Sequence, residues 1–349
     1  MPVVVDAPDL TRTESTDEER DGDLTAAPEE PEEDQDLLSE LPDDTEEIEL
    51  THARLRTLAH LRLERFTKAT KLCLRQNQLL SLLVAPADGE TGEPSRPLES
   101  LTALRDLDLY DNRLTSVDGL NTLTELESFD VSFNLLRRIP ADVLRRFTKL
   151  KTAYFIQNKI GRIEGLEPLA GTLTSIELGG NKLRRIENLD ALTNLTELWL
   201  GKNKITQLDG LDTLVNLRLL SIQSNRIVKL EGLDKLSKLE ELYISHNGLK
   251  ELNGLEHNHN LRVLDVSNNA LTRIADISHL SQLTEFWASN NQLAEFADVE
   301  SQLAGLAALD TVYLEGNPLQ RDLGTAYRRR VMLALPQLKQ IDATFVRQS

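Results

Sequence analysis

The 349-residue chain holds a single cysteine, Cys73, so no intramolecular disulfide can form. That argues against the disulfide-stapled caps of secreted repeat proteins and for a reducing compartment. No apolar run approaches the roughly 18 residues of a membrane-spanning helix. The opening Met1-Pro2-Val3-Val4-Val5-Asp6 has neither the basic start nor the apolar stretch of a secretory signal. A soluble intracellular protein is expected, with no membrane partner. Catalytic signals are equally scarce: the sequence has no P-loop, no G-x-G-x-x-G after a strand and no H-E-x-x-H. Of six histidines, none pairs with a nucleophile, and His257-Asn258-His259 lacks the further ligands a metal requires. Cys73 falls at an outward strand position, accessible in principle, with no His or Asp placed to activate it. No enzyme activity, cofactor or metal is expected.

The net charge of −18 belongs to one segment. Residues 1–50 carry twenty Asp and Glu against only Arg12 and Arg20, while the remainder holds 37 acidic and 37 basic residues. Residues 1–44 are acidic, rich in Pro, Ser and Thr, and almost free of aromatics. Such a segment buries too little apolar area to offset its ordering entropy, so a disordered tail is expected there.

From about residue 46 one pattern takes over, L-x-L-x-x-N-x-L with any aliphatic residue or Phe in the L positions. Its asparagines are Asn77, Asn112, Asn134, Asn158, Asn181, Asn203, Asn225, Asn247, Asn269, Asn291 and Asn317. From Asn158 to Asn291 the steps are one of 23 residues and five of 22. Ile48, Leu50 and Leu55 add a degenerate opening unit with Ala53 in the Asn place. About twelve repeats of 22 residues predict an α/β leucine-rich-repeat solenoid, a right-handed horseshoe with a parallel concave sheet.

The spacing has a physical reading. In Leu198-Trp199-Leu200 the two leucines point inward and Trp199 outward, as a strand's period of two requires. The Asn amide can then bond the backbone groups that the bend after the strand frees. Ile205, Leu208, Leu211, Leu214 and Leu217 follow at every third residue, a period suited to tight turns on the convex side. Gly119, Gly165, Gly210, Gly232 and Gly254 each stand seven residues after their Asn, at a turn expected to need positive φ. One repeat cannot bury its own leucines, whereas stacked neighbours can. A dozen strands about 4.8 Å apart would span on the order of 55 Å, enough to cradle a globular partner.

The array is assigned to residues 45–319, with a Pro- and Gly-containing loop insert at 85–97 in the 35-residue step from Asn77 to Asn112. The 26-residue step to Asn317 absorbs extra residues near Ala297–Ser301. Residues 320–349 form the cap that covers the open end, with a helix over Tyr327–Leu335 stopped by Pro336.

With the inward positions committed to core, function falls to the outward ones, six, four and two places before each Asn. Both tryptophans and four of the five tyrosines lie there, although aromatics are only 4% of the chain. The other outward residues are mostly Asp, Glu, Ser and Gly, with no Lys or Arg after Lys71 and Arg75. Exposed aromatics between carboxylates describe a binding surface for a basic protein with apolar anchors. Asp130, Tyr154, Glu177, Glu197, Trp199, Tyr243, Asp265, Glu285, Trp287 and Tyr313 are the candidate contacts. An acidic face excludes nucleic acid as the partner.

These residues resemble a known family. Repeats typified by Leu230-Glu231-Gly232-Leu233-Asp234-Lys235-Leu236 are similar to those of regulatory subunit 7 of protein phosphatase type 1. So is the C-terminal Tyr327-Arg328-Arg329-Arg330-Val331, with Leu335-Pro336-Gln337-Leu338 and Ile341-Asp342. The resemblance spans about residues 45–349, and the insert departs from the family's spacing. The 22-residue class is shared with cytoskeletal and ribonucleoprotein scaffolds, which stand as the alternative function.

The resemblance implies a non-catalytic subunit that grips the phosphatase catalytic subunit, with room for a third, inhibitor subunit, and is monomeric when free. It carries the contacts onto Asp130, Tyr154, Glu177, Trp199, Asp265, Glu285, Trp287 and Tyr313. It further implies control of phosphatase maturation, activity or localisation in nucleus and cytoplasm, with roles in chromosome segregation.

Overall fold

The computed structural model describes residues 37–86 and 91–346. Each repeat contributes one three-residue strand. The first seven are β1 (Glu47–Glu49), β2 (Lys71–Cys73), β3 (Asp106–Asp108), β4 (Ser128–Asp130), β5 (Thr152–Tyr154), β6 (Ser175–Glu177) and β7 (Glu197–Trp199). The next five are β8 (Leu219–Ser221), β9 (Glu241–Tyr243), β10 (Val263–Asp265), β11 (Glu285–Trp287) and β12 (Thr311–Tyr313). Two short strands, β13 (Gln340–Ile341) and β14 (Thr344–Phe345), follow. The fourteen form one sheet in chain order, parallel throughout except for the antiparallel closing pair β13–β14. This is the parallel leucine-rich-repeat solenoid that the spacing predicts.

The asparagine ladder explains why the repeats stay in register. The Asn203 amide donates to the carbonyls of Leu178 (3.0 Å), Leu200 (3.0 Å) and Gly201 (3.2 Å) and accepts the Leu183 N–H at 3.0 Å. One side chain therefore ties its own bend to the preceding repeat, and the same four-bond pattern recurs at Asn77 in the second repeat. Ala53 cannot do this, so the first repeat receives such bonds from Asn77 and passes none on.

A second regularity is hidden in the sequence. The residue before each ladder asparagine has positive φ, between 51° and 56° at Gln76, Asp111, Phe133, Gln157, Lys202, Ser224, His246, Asn268 and Asn290. Only Gly180 and Gly316 of the eleven are glycines. The bend holds because its N–H extends the sheet ladder, as from Lys202 to the Gln223 carbonyl at 2.8 Å. Strain of this kind costs on the order of 1 kcal/mol per residue and is offset by those bonds.

The five glycines seven residues after their Asn do have positive φ, from 69° to 108°. At Gly254 a Cβ would lie 1.6 Å from the Leu230 carbonyl oxygen, so close stacking as well as φ demands glycine. Asn188 and Asp276 occupy the same turn at φ 59°. Between these points the apolar ladder is buried; Leu208, Leu214 and Leu217 have no exposed surface. Their turns close by i to i−3 bonds, Leu214 N–H to Leu211 (3.0 Å) and Leu217 N–H to Leu214 (2.9 Å).

Irregular steps are absorbed away from the sheet. The 24-residue step after Asn134 carries a short helix, α1 (Ala141–Leu144), and the 23-residue step after Asn158 a 3₁₀ turn at Glu167–Leu169. The residues added before Asn317 form α2 (Phe296–Leu303), for which the sequence reading assigned no helix. The insert leaves and re-enters through a two-bond bridge between Val84 and Ser95 (3.0 and 2.8 Å). Its residues 87–90 lie outside the described chain.

At the C-terminus, α3 (Pro318–Leu323) and α4 (Tyr327–Ala334) cover the last repeat, the latter ending one residue before the expected Leu335. Asp342 stands where a ladder asparagine would: its carboxylate accepts the N–H groups of Leu314 (2.8 Å) and Glu315 (3.0 Å) and the Tyr327 hydroxyl (3.0 Å). β14 then closes the sheet edge.

At the other end, residues 37–44, read from composition as the end of the tail, pack on the array. Leu38 is 2% exposed, and the Arg65 guanidinium bonds the carbonyls of Leu38 and Leu41 and the Asp43 carboxylate. Buried Leu38, partly buried Leu41 and an arginine clamp outweigh the acidic composition there. Residues 1–36, the rest of the expected tail, lie outside the described residues. Among the described residues, no helix is long and apolar enough to cross a membrane.

A candidate protein-binding face

Strand pairing sorts the outward residues into rows. The middle row runs Glu49, Cys73, Asp108, Asp130, Tyr154, Glu177, Trp199, Ser221, Tyr243, Asp265, Trp287 and Tyr313, each directly opposite the next. Eight of the ten candidate residues are therefore in one line. Glu197 and Glu285 lie in the adjacent row, with Asp106, Ser175 and Glu241. Eight steps separate Asp130 from Tyr313, roughly 38 Å at the usual strand spacing.

The line has two chemically different halves. From β3 to β6 it is carboxylate-rich, and the carboxyls are partly withdrawn from water. Burial pushes Asp106, Asp108 and Asp130 above the usual carboxylate range; Lys71 opposes the shift at Asp106, and Arg75, 3.3 Å from Asp108, opposes it at Asp108 and Asp130. The Asp130 carboxylate also accepts the Ser132 N–H at 2.8 Å. Glu177 is the extreme: burial, with the neighbouring Asp130 charge adding to it, raises its pKa to about 7. No side-chain hydrogen bond or ion pair to another described residue compensates it. A cation delivered by a partner would.

From β7 to β12 the line is aromatic. The Tyr243 and Trp287 rings meet edge to face at 6.2 Å although Asp265 separates them in the register. They lean together over Asp265, which is 8% exposed and accepts the Ser267 N–H at 3.0 Å. Asp265 is thus largely covered in the free chain. Trp287 continues the stack to Tyr313 at 5.7 Å. Polar edges are anchored too: the Trp287 indole N–H donates to Glu285 (3.1 Å), the Tyr243 hydroxyl to Glu241 (2.8 Å), and Gln340 to the Tyr313 hydroxyl (2.6 Å). Burial raises the Tyr154, Tyr243 and Tyr313 hydroxyl pKa values, so all three stay neutral. Trp199 is half-buried, and among the described residues its ring touches no other aromatic. Glu197 beside it is exposed and accepts the Ser175 hydroxyl at 3.0 Å.

A family model described as leucine-rich repeat matches residues 232–349, and a model of two leucine-rich-repeat copies matches residues 102–146 and 171–213. Three curated relatives add to this. The chain is 36% identical over 156 residues to the protein phosphatase 1 regulatory inhibitor subunit PPP1R7 homolog of Arabidopsis thaliana, covering 45% of this chain and 44% of that one. It is 42% identical over 110 residues to protein phosphatase 1 regulatory subunit SDS22 of Saccharomyces cerevisiae, covering 30% and 28%. Against human protein phosphatase 1 regulatory subunit 7 it is 65% identical over 46 residues, covering 13% and 12%.

The fold is a leucine-rich-repeat solenoid, and over the matched stretches the chain is similar to regulatory subunits of protein phosphatase 1. The matched stretches span less than half the length of those relatives. Among solved structures, an internalin of Listeria monocytogenes superposes with a TM-score of 0.62 at 25% identity, covering 82% of this chain and 83% of its own. The InlJ functional domain of the same organism gives 0.60 at 26%, covering 80% and 54%.

Three features of the repeat protein's face escape a reading by residue type. Arg75 lies over the Tyr110 ring at 4.3 Å, and Phe133 meets the same ring at a 46° tilt, 4.8 Å between centres, giving the acidic half a cationic and apolar edge. Phe133 is outside the outward list because it occupies the bend, yet it is 40% exposed. Cys73, expected to be accessible from its strand position, is buried at 6% and contacts the Thr51 hydroxyl at 3.4 Å. Thr51 of the first repeat covers it, so outward placement does not make a reactive thiol.

Proposed function

We propose that this chain is a non-catalytic regulatory subunit that binds the catalytic subunit of a type 1 serine/threonine phosphatase through the row from Asp130 to Tyr313. The relatives are named as regulatory subunits of that phosphatase. The observation that carries the mode of binding is the single register line of carboxylates and stacked aromatics. Trp199 and Trp287 serve as anchors, each costing about 2 kcal/mol or more on truncation to alanine. The carboxylates orient the partner and speed encounter. Binding controls maturation, activity or localisation of the phosphatase in nucleus and cytoplasm, with room for a third, inhibitor subunit; the free subunit is monomeric.

The test is co-purification of the wild-type chain and the Trp199→Ala/Trp287→Ala variant with the phosphatase catalytic subunit. Retention of the wild type and loss of the variant support both partner and face. Equal retention places the contact elsewhere. Failure of both, with tubulin, dynein or splicing proteins captured instead, favours the scaffold alternative.

A further inference from the structure

The two rims of the sheet treat charge differently. On the rim just before the strands, opposite charges in neighbouring repeats pair: Lys151 with Glu127 at 2.5 Å, Arg218 with Glu240 at 2.8 Å, Lys339 with Asp310 at 3.1 Å. On the rim just after the ladder asparagines, three consecutive repeats present Arg137, Arg138, Lys159, Lys182, Arg184 and Arg185, all exposed. None of these six makes an ion pair with another described residue. Their neighbour Arg162 reaches Glu187 at 3.4 Å. Strands about 4.8 Å apart hold these like charges within roughly 10 Å along the array, where exposed charges still repel. A shallow depression where this strip meets the acidic residues beyond it is lined by Arg184, Arg185, Glu187, Thr206, Gln207 and Asp209.

We propose that this basic rim is a second interaction surface, separate from the sheet face, and that it takes an extended acidic segment of a partner protein. The strip is narrow. Two to three residues beyond it Glu164, Glu187 and Asp209 begin an acidic row, and the acidic sheet face bounds its other side. A duplex laid across it would press phosphates against those carboxylates. Phe133 in the first of these three repeats is exposed, but Gln157 and Gly180 hold the same bend position in the other two, so single-stranded nucleic acid finds no succession of stacking platforms. An extended peptide is slim enough to follow the strip, presenting alternate side chains to it.

The test uses the full chain and a fluorescein-labelled ten-residue polyglutamate peptide, read by fluorescence anisotropy. Binding at about 50 mM salt is expected, falling ~10-fold or more by about 200 mM. The variant Arg137→Gln/Arg138→Gln/Arg184→Gln/Arg185→Gln should weaken it ~10-fold or more with an unchanged melting temperature, since exposed substitutions perturb stability little. Trp199→Ala/Trp287→Ala should bind the peptide as the wild type does, so this result is independent of the phosphatase reading. No binding at low salt, equal binding by the quadruple variant, or loss in the tryptophan variant overturns the proposal. Tighter binding of a single-stranded DNA of equal charge overturns it in favour of nucleic acid.

Discussion

Glu177 and Trp199 face each other across β6 and β7, at the point where the acidic half of the sheet face meets the aromatic half. The carboxyl is held to a pKa of about 7 by burial and by Asp130, with no compensating cation among the described residues. Free, the chain carries a destabilising charge there. Bound to a basic partner, it would not.

That has a pH consequence for stability. The folded pKa of Glu177 is raised above its ordinary 4.5, so its contribution is fully present below about 4.5 and is lost as pH rises through about 7. Glu177→Gln removes this loss. The variant is expected to be more stable than wild type at pH 8, by roughly 1–2 kcal/mol after solvent screening, and indistinguishable near pH 4.5. Paired urea titrations at the two pH values check it; equal stability at pH 8 would mean the carboxyl is well solvated.

Binding should show the opposite trend. A cationic partner stabilises the ionised carboxylate, so complex formation expels the proton that free Glu177 partly retains near neutrality. Affinity for the phosphatase is expected to rise between pH 6 and 8, and Glu177→Gln should flatten the rise. Calorimetry in buffers of different ionisation enthalpy reads the released proton directly.

The ladder makes a purely structural prediction. Asn203→Ala removes four hydrogen bonds and leaves the Leu178 and Leu200 carbonyls and the Leu183 N–H without that partner. A loss of about 2–4 kcal/mol is expected. Because neighbouring repeats carry the cooperativity, hydrogen exchange should rise first in the strands beside Asn203. Uniform loss of protection along the array would contradict that picture.

The cap offers a parallel test. The Tyr327 hydroxyl bonds Asp342 at 3.0 Å, and burial beside that carboxylate raises the phenol's pKa. Tyr327→Phe removes one partner of the carboxylate that substitutes for a ladder asparagine. Thermal melting should register a loss of about 1–2 kcal/mol, with phosphatase binding unchanged.

Much of this was legible in the sequence because leucine spacing and the ladder asparagine both report directly on backbone geometry. Tyr154 and Glu177 follow steps of 24 and 23 residues, yet they fall in the common row because α1 and the Glu167–Leu169 turn take up the surplus away from the sheet. The bend before each asparagine was not legible. Gln76, Phe133, Lys202 and His246 share positive φ but no chemistry, because the ladder bonds impose the conformation. Nor could strand period alone show that Asp265 lies under Tyr243 and Trp287, or that Cys73 is covered. Those facts depend on side chains from different repeats.

The most direct test of the central claim is a binding titration of the phosphatase catalytic subunit against the wild-type chain and Trp199→Ala/Trp287→Ala, with melting temperatures in parallel. The register line predicts at least a ~100-fold loss of affinity with the fold intact, since each anchor is worth about 2 kcal/mol or more. Undiminished affinity in a folded double variant would contradict it.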